Sequence, residues 1–217
     1  MNEVNEMKKD QLFWIAVLGV VMVSLFLGGC GTSRPAKFYI LNPVNSPGSA
    51  AKQAALPAPT VTVGIGPVEI PDYVDRPQIV TRTAQNELDV NVFHRWAGGL
   101  KPDVTRVLTE NLSALLPADQ VAVVSWKRSV PLQNRVAIDV TRFDAMPGDS
   151  VWLKAQWTIY GQDGKTVAMA RETNVREPLS GRDYTSIVAA MSRTLGTLSQ
   201  DIAAGLTSVL SLKPKGG

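Results

Sequence analysis

The sequence has 217 residues, with 22 Lys and Arg against 19 Asp and Glu, one histidine and one cysteine. The charge is mild and spread along the chain, so it gives no concentrated basic surface for nucleic acid. One cysteine excludes an intrachain disulfide, and one histidine excludes a His-rich metal site.

The chain opens with Lys8 and Lys9 ahead of an apolar run from Leu12 to Leu27, which ends in small residues rather than a basic stop-transfer flank. That run is shorter than the about 20 apolar residues a spanning helix needs, and its parts fit a secretory signal. Leu27-Gly28-Gly29-Cys30 closes it, and this stretch resembles the lipobox of bacterial lipoproteins. The resemblance implies a signal peptide over residues 1–29, a diacylglyceryl group on the Cys30 thiol, cleavage before Cys30 and an N-acyl chain on the new terminus. An uncleaved membrane helix and an ordinary signal peptide are the competing readings. Several acyl chains make detachment negligible, because each buried CH₂ adds about 0.8 kcal/mol. Gly31, where Asp would retain a lipoprotein in the inner membrane, favours the inner leaflet of the outer membrane.

Cleavage leaves 188 residues, enough for one domain with its own core. Residues 30–36 form a tether that reaches roughly 20 Å, so the body is expected close to the membrane. The domain is expected over 37–217. Lys37 to Leu41 reads as a strand that returns to pair with the body. Residues 42–59, rich in Pro, Ala, Ser and Gly, read as a flexible loop. Thr60 to Ile70 is β-branched and apolar, and its Gly64, Gly66 and Pro67 mark an edge, a bulge or a crossing. No helix opens after Gly66, so this is not a dinucleotide fingerprint. Pro71 to Pro77 is a turn between two prolines. Strands follow over Gln78–Thr83 and Leu88–Trp96.

Phe38-Tyr39-Ile40-Leu41 behind a lipobox, Val63-Gly64-Ile65-Gly66-Pro67-Val68, the run from Pro71 through Asp72, Tyr73, Val74, Asp75, Arg76, Pro77 and Gln78 to Val80, and Arg95-Trp96-Ala97 resemble the PqiC/YmbA family. These are the auxiliary lipoproteins of ABC-type and MCE intermembrane transport systems. The resemblance spans essentially the whole mature chain. Gly98-Gly99 departs from it, standing where Glu-Pro is expected. It implies a periplasm-facing protein tethered at the outer membrane, working with an MCE-domain protein and an inner-membrane permease to move lipids or similar molecules. It also offers Asp72, Tyr73, Asp75, Arg76, Pro77, Arg95 and Trp96 as partner contacts.

The remaining pattern fits a single α+β domain: a largely antiparallel sheet with two main helices packed on it. Val104, Val107, Leu108, Leu112, Leu115 and Leu116 recur at helical spacing between Pro102 and Pro117. Strands are expected over Gln120–Trp126, Arg135–Phe143, Ser150–Tyr160 and Lys165–Val175, the last two joined by a hairpin at Gly161-Gln162-Asp163-Gly164. Asp183 to Leu212 is a long amphipathic helix whose stripe runs Ile187, Met191, Leu195, Leu198, Ile202, Leu206, Val209. The stripe is core in one reading, and a surface for a partner or lipid in the other. Trp152 and Tyr160 on the polar face of their strand suggest an interface or a second packed layer.

The chain carries no Gly-x-Ser-x-Gly elbow and no Walker A sequence. Asp72 and Asp75 suit turn hydrogen bonds better than acid–base work, with Arg76 in reach of either. No cofactor and no metal are expected beyond the lipid on Cys30. The function expected is a non-enzymatic lipid-anchored partner protein, with homo-oligomerisation open to it through edge-strand and aromatic surface. A structural envelope lipoprotein that binds peptidoglycan or assists outer-membrane protein assembly, and a lipid-binding domain acting alone, are the other classes.

Overall fold

A computed structural model describes residues 13–19, 34–44, 61–118, 120–128 and 130–211. The chain divides into two compact units, Met1–Pro35 and Ala36–Gly217. In the first, residues 13–19 are helical. No helix among the described residues is long and apolar enough to cross a membrane. Leu27, Gly28, Gly29 and Cys30 lie outside the described residues, as do 45–60 of the expected loop.

The second unit is an α+β domain. Its elements in order are β1 (Lys37–Tyr39), β2 (Val61–Glu69), β3 (Gln78–Ala84), β4 (Glu87–Trp96), α1 (Leu100–Leu115), β5 (Val121–Ser125), β6 (Asn134–Met146), β7 (Ser150–Tyr160), β8 (Val167–Pro178) and α2 (Tyr184–Ser211). All eight strands join one sheet. Its longest pairings, β6 with β7 and β7 with β8, are antiparallel, as is β3 with β4. The pairings β1–β4, β2–β5 and β2–β6 are parallel. β6 is the hub: β7 covers one edge along its length, while β2 pairs with the first half of the other edge and β3 touches it at Ala145.

β7 shows why alternation was readable. Val151, Leu153, Ala155, Trp157 and Ile159 are buried on one face. β6 begins in phase with Val136, Ile138 and Val140, then slips at Thr141, after which Phe143 and Ala145 take the inner positions. One extra residue in a strand reverses which parity faces the core.

The whole expected stripe of α2, Ile187 through Val209, is buried against the sheet and α1, so it is core. A Cβ at Gly205 would lie 2.7 Å from the Trp157 ring, which shows how closely helix and strand approach. At that crossing Trp157 Nε1–H donates to Thr173 Oγ1 at 3.1 Å, and Thr173 donates to Asp201 Oδ2 at 2.7 Å. Asp183 starts α2 by accepting the Ser186 N–H at 3.0 Å, an N-cap arrangement.

The first strand does return to the body, and the expected loop begins later than Asn42. Fully buried Leu41 donates its N–H to Asp103 Oδ2 at 2.6 Å and accepts from Arg106 at 2.6 Å. Asn42 N–H donates to Ser192 Oγ, and Val44 N–H to Asn111 Oδ1, each at 3.1 Å. Residues 41–44 are therefore fixed between the two helices.

Leu195→Ala is expected to destabilise the protein by about 3 kcal/mol, the usual result of opening a cavity at a fully buried site. Ser208→Ala, on the exposed side of the same helix, should stay within about 0.5 kcal/mol. Urea unfolding with an unchanged m-value checks both.

Candidate interaction surface

The residues 71–77 form a compact turn through backbone bonds: the N–H groups of Val74 and Asp75 both donate to the Pro71 carbonyl, at 3.0 and 3.1 Å. At its far end the Pro77 carbonyl accepts the Trp96 N–H at 2.8 Å, and Ala97 N–H donates to the Tyr39 carbonyl at 2.9 Å. The turn, the end of β4 and β1 are thereby drawn together.

Within this assembly the expected contact residues divide. Trp96 is 5% exposed and belongs to the core. Tyr73 is half-buried, and its hydroxyl donates to Asp144 Oδ2 at 2.8 Å. Trp96 is therefore closed to a partner, while Tyr73 is tied to Asp144 and only partly exposed. Asp72, Asp75, Arg76 and Pro77 are exposed, and Arg95 is partly so. Arg76 forms no ion pair with Asp72 or Asp75 among the described residues.

Asp144 is only 2% exposed, yet it lies on the sheet face away from the helices, paired in register with Trp152. Arg82 donates to both its oxygens, at 3.2 and 2.9 Å, and Arg142 to Oδ1 at 3.2 and 3.0 Å. Burial alone would raise this carboxyl. The bonds from Arg82, Tyr73 and Arg142 outweigh it and hold the group below its usual value. Burial first, and then the bond to Asp144, push the Tyr73 phenol up to about 12. The Arg142 and Arg176 guanidinium groups lie over the Trp152 ring at 3.8 and 4.1 Å, and Arg135 lies over Tyr160 at 4.9 Å. Arginines, rather than a packed layer of structure, cover these aromatics among the described residues.

His94, the sole histidine, stacks on Tyr184 at 3.8 Å and accepts or donates at Nδ1 with the Tyr39 hydroxyl at 2.7 Å. Burial, and then the Lys37 charge, lower its pKa. No group of three His, Cys, Asp or Glu able to hold a metal ion occurs among the described residues.

Exposed Asp75 borders a groove of about 570 Å³ lined also by Pro67, Glu69, Lys101, Pro102, Trp126 and Lys127. Beside it Gly66, at φ 121°, precedes the cis Gly66–Pro67 bond, where the β2–β6 register shifts. A Cβ on Gly66 would sit 2.0 Å from the Trp126 ring. Glycine thus lets Trp126 lie directly on the strand. Lys101 is ion-paired to Glu69 across the groove rim. Pattern reading picked out Gly66, Pro67 and Asp75 but missed Trp126, Lys101 and Lys127, which reach the groove from the end of β5 and the start of α1.

A family model described as the ABC-type transport auxiliary lipoprotein component matches residues 39–203. The chain belongs to this family. The match runs from β1 into α2, taking in the turn, the groove and the Asp144 cluster. The chain is 26% identical over 146 residues to the intermembrane transport lipoprotein PqiC of Escherichia coli (strain K12), covering 66% of this chain and 73% of that protein, and equally so to PqiC of Shigella flexneri. Among solved structures, an uncharacterised protein is similar with a TM-score of 0.64 at 19% identity, over 80% of this chain and 99% of that one. A Xanthomonas campestris protein is similar with a TM-score of 0.63 at 17% identity, over 81% and 97%. These two share the fold.

For this auxiliary lipoprotein, Asp144→Asn should cost about 3 kcal/mol by leaving arginines unpaired in a buried site. Asp139→Asn, exposed on the same strand, should cost under about 0.5 kcal/mol; urea unfolding at neutral pH separates them. His94 gives a second test. Its folded pKa lies below the unfolded value of about 6.5, so the unfolded chain binds more protons in the window between the two. Stability is complete above about pH 6.5 and falls as pH drops through the folded pKa. His94→Gln should flatten that part of the stability–pH profile.

Proposed function

We propose that this protein is a lipid-anchored, non-enzymatic component of an intermembrane lipid transport system, holding a partner complex at the outer membrane from the periplasmic side. The observation that carries the reading is the family match over 39–203, which covers nearly all of the folded body. PqiC, whose name describes an intermembrane transport lipoprotein, supports it. Leu27-Gly28-Gly29-Cys30 supplies the anchor: a mature chain from Cys30, with diacylglyceryl and N-acyl lipid and a tether over 30–36. The partners are an MCE-domain protein and an inner-membrane permease, and the body, over 37–217, brings no cofactor or metal of its own.

The partner docks in the groove between the 71–77 turn, β2 and the start of α1. Trp126 provides an aromatic anchor there, flanked by Asp75, Lys101 and Lys127, the combination typical of contacts that dominate binding energy. Intact mass of the protein from membranes should show residues 1–29 gone and acyl mass on Cys30. Anchored protein should capture the MCE-domain partner, and Trp126→Ala should weaken capture about tenfold, on the order of 1.4 kcal/mol, with folding unchanged by circular dichroism. Failure to recover the partner would overturn the assignment, and unaltered capture by Trp126→Ala would overturn the groove.

A further inference from the structure

Exposed apolar side chains in the body are concentrated at one edge of the sheet. Phe38 is 64% exposed, Val92 58%, Ile40 52% and Phe93 38%. Among the described residues of the body, Phe38, Val92 and Ile40 are three of the four most exposed large apolar ones, and the fourth, Val167, is at the distant end of β8, beside the hairpin from β7.

The backbone places the four together. β1 runs parallel to β4, with Lys37 beside His94 and Phe38 beside Arg95. β3 pairs with β4 on its other side, but the ladder jumps from Gln78↔Arg95 to Val80↔Val90. Residues 91–94 are therefore a wide bulge. The Asn91 side chain closes it by accepting the Phe93 N–H at 3.0 Å, and the stack on Tyr184 fixes His94 behind it. A bulge re-aims the side chains it carries. Here Val92 and Phe93 are turned outward, immediately upstream of the position where β1 joins the ladder. Phe38 and Ile40 alternate along β1 and its extension, so they share a face. Nothing in the core requires these residues to be large and apolar.

Two observations identify what covers them. The edge is the one where the chain enters the body: Lys37 is seven residues after Cys30, a span of at most about 25 Å. Two basic residues adjoin Phe38, Lys37 before it in the chain and Arg95 opposite it in the ladder, while the nearby Asp103 is taken up by Leu41 and Arg106. Apolar side chains beside Lys and Arg suit the headgroup region of a leaflet containing anionic phospholipid. We propose that Phe38, Ile40 and the Val92–Phe93 bulge form a second, non-covalent membrane contact, seated in the headgroup layer of the leaflet that holds the acyl chains of Cys30. This rests on the anchor reading above. Its consequence is orientation: an acyl tether fixes distance, and a seated edge also fixes which face of the body looks away from the membrane.

The test uses full-length protein purified from membranes, because its lone cysteine is blocked when acylated. Val92→Cys and, separately, Val167→Cys are labelled with an environment-sensitive fluorophore. Each is reconstituted in phosphatidylethanolamine and phosphatidylglycerol vesicles carrying a headgroup-proximal nitroxide. The label at 92 should shift to the blue and lose more than half of its emission to the nitroxide, while the label at 167 should do neither. Equal, unquenched emission at both positions, with acyl mass present on Cys30, would overturn the contact and leave the anchor standing. A blue shift at 92 without quenching would overturn it in favour of a protein neighbour, a second copy or a partner. If mass analysis finds Cys30 bare, the anchor reading fails. The same quenching, with vesicles added to the labelled protein in a Cys30→Ser background, then decides the contact: quenching at 92 alone supports it, and its absence overturns it.

Discussion

The clasp of Asp103 and Arg106 on Leu41 is the contact on which the arrangement turns. β1 is only three residues long and pairs along a sheet edge, so its ladder bonds alone hold it weakly. Leu41, two residues on, is fully buried, and both its backbone groups would be orphaned there, at about 1–3 kcal/mol each. Asp103 takes the N–H and Arg106 serves the carbonyl, while Arg106 itself is paired to Asp103 and Glu110. Asn42 and Val44 continue the attachment to α2 and α1 through Ser192 and Asn111. A pull on the chain ahead of β1 is thus borne by two long helices and not by three strand residues. Under the proposed Cys30 anchor, that is the required direction of load.

A buried charge performs a comparable task on the opposite face. Asp144 gathers Arg82 from β3, Arg142 from its own strand and Tyr73 from the turn. A desolvated carboxylate is tolerable only with such complete pairing, and completeness fixes where the turn can sit. The exposed side of that turn, Asp72 and Asp75, is therefore presented on a rigid base although residues 71–77 contain no regular secondary structure. Preformed surface of this kind lowers the ordering cost of binding.

Sequence pattern carried the fold as far as periodicity reaches. The stripe on α2 and the alternation on β7 were plain, because burial on one face of a regular element leaves a regular trace. Pairing direction was less visible: β2 is buried on both faces, so its residues read the same whether its neighbours run parallel or antiparallel. Slips in register leave no trace of their own, and Thr141 and the 91–94 bulge emerge only from the partner strands. In the interaction surface, Tyr73 and Trp96 stood out with the exposed residues around them, yet their work is internal. Distinguishing them required knowing that Asp144, seventy-one residues from Tyr73, folds beneath the turn. Trp126 was passed over as one more strand residue because the glycine that admits its ring, Gly66, belongs to a different strand.

The two proposed surfaces meet at the start of α1. Pro102 lines the large groove, and it also lines a smaller cleft with Ile40, Gly98 and Gly99. Gly98 and Gly99 have no side chains to separate the two, and Gly99, at φ 94°, turns the chain into the helix at this place. Ile40 is thus connected to both the membrane edge and the approach to Asp75 and Trp126. With an expected radius of gyration of about 16 Å, a body seated as proposed would hold a partner in the groove beside the lipid surface.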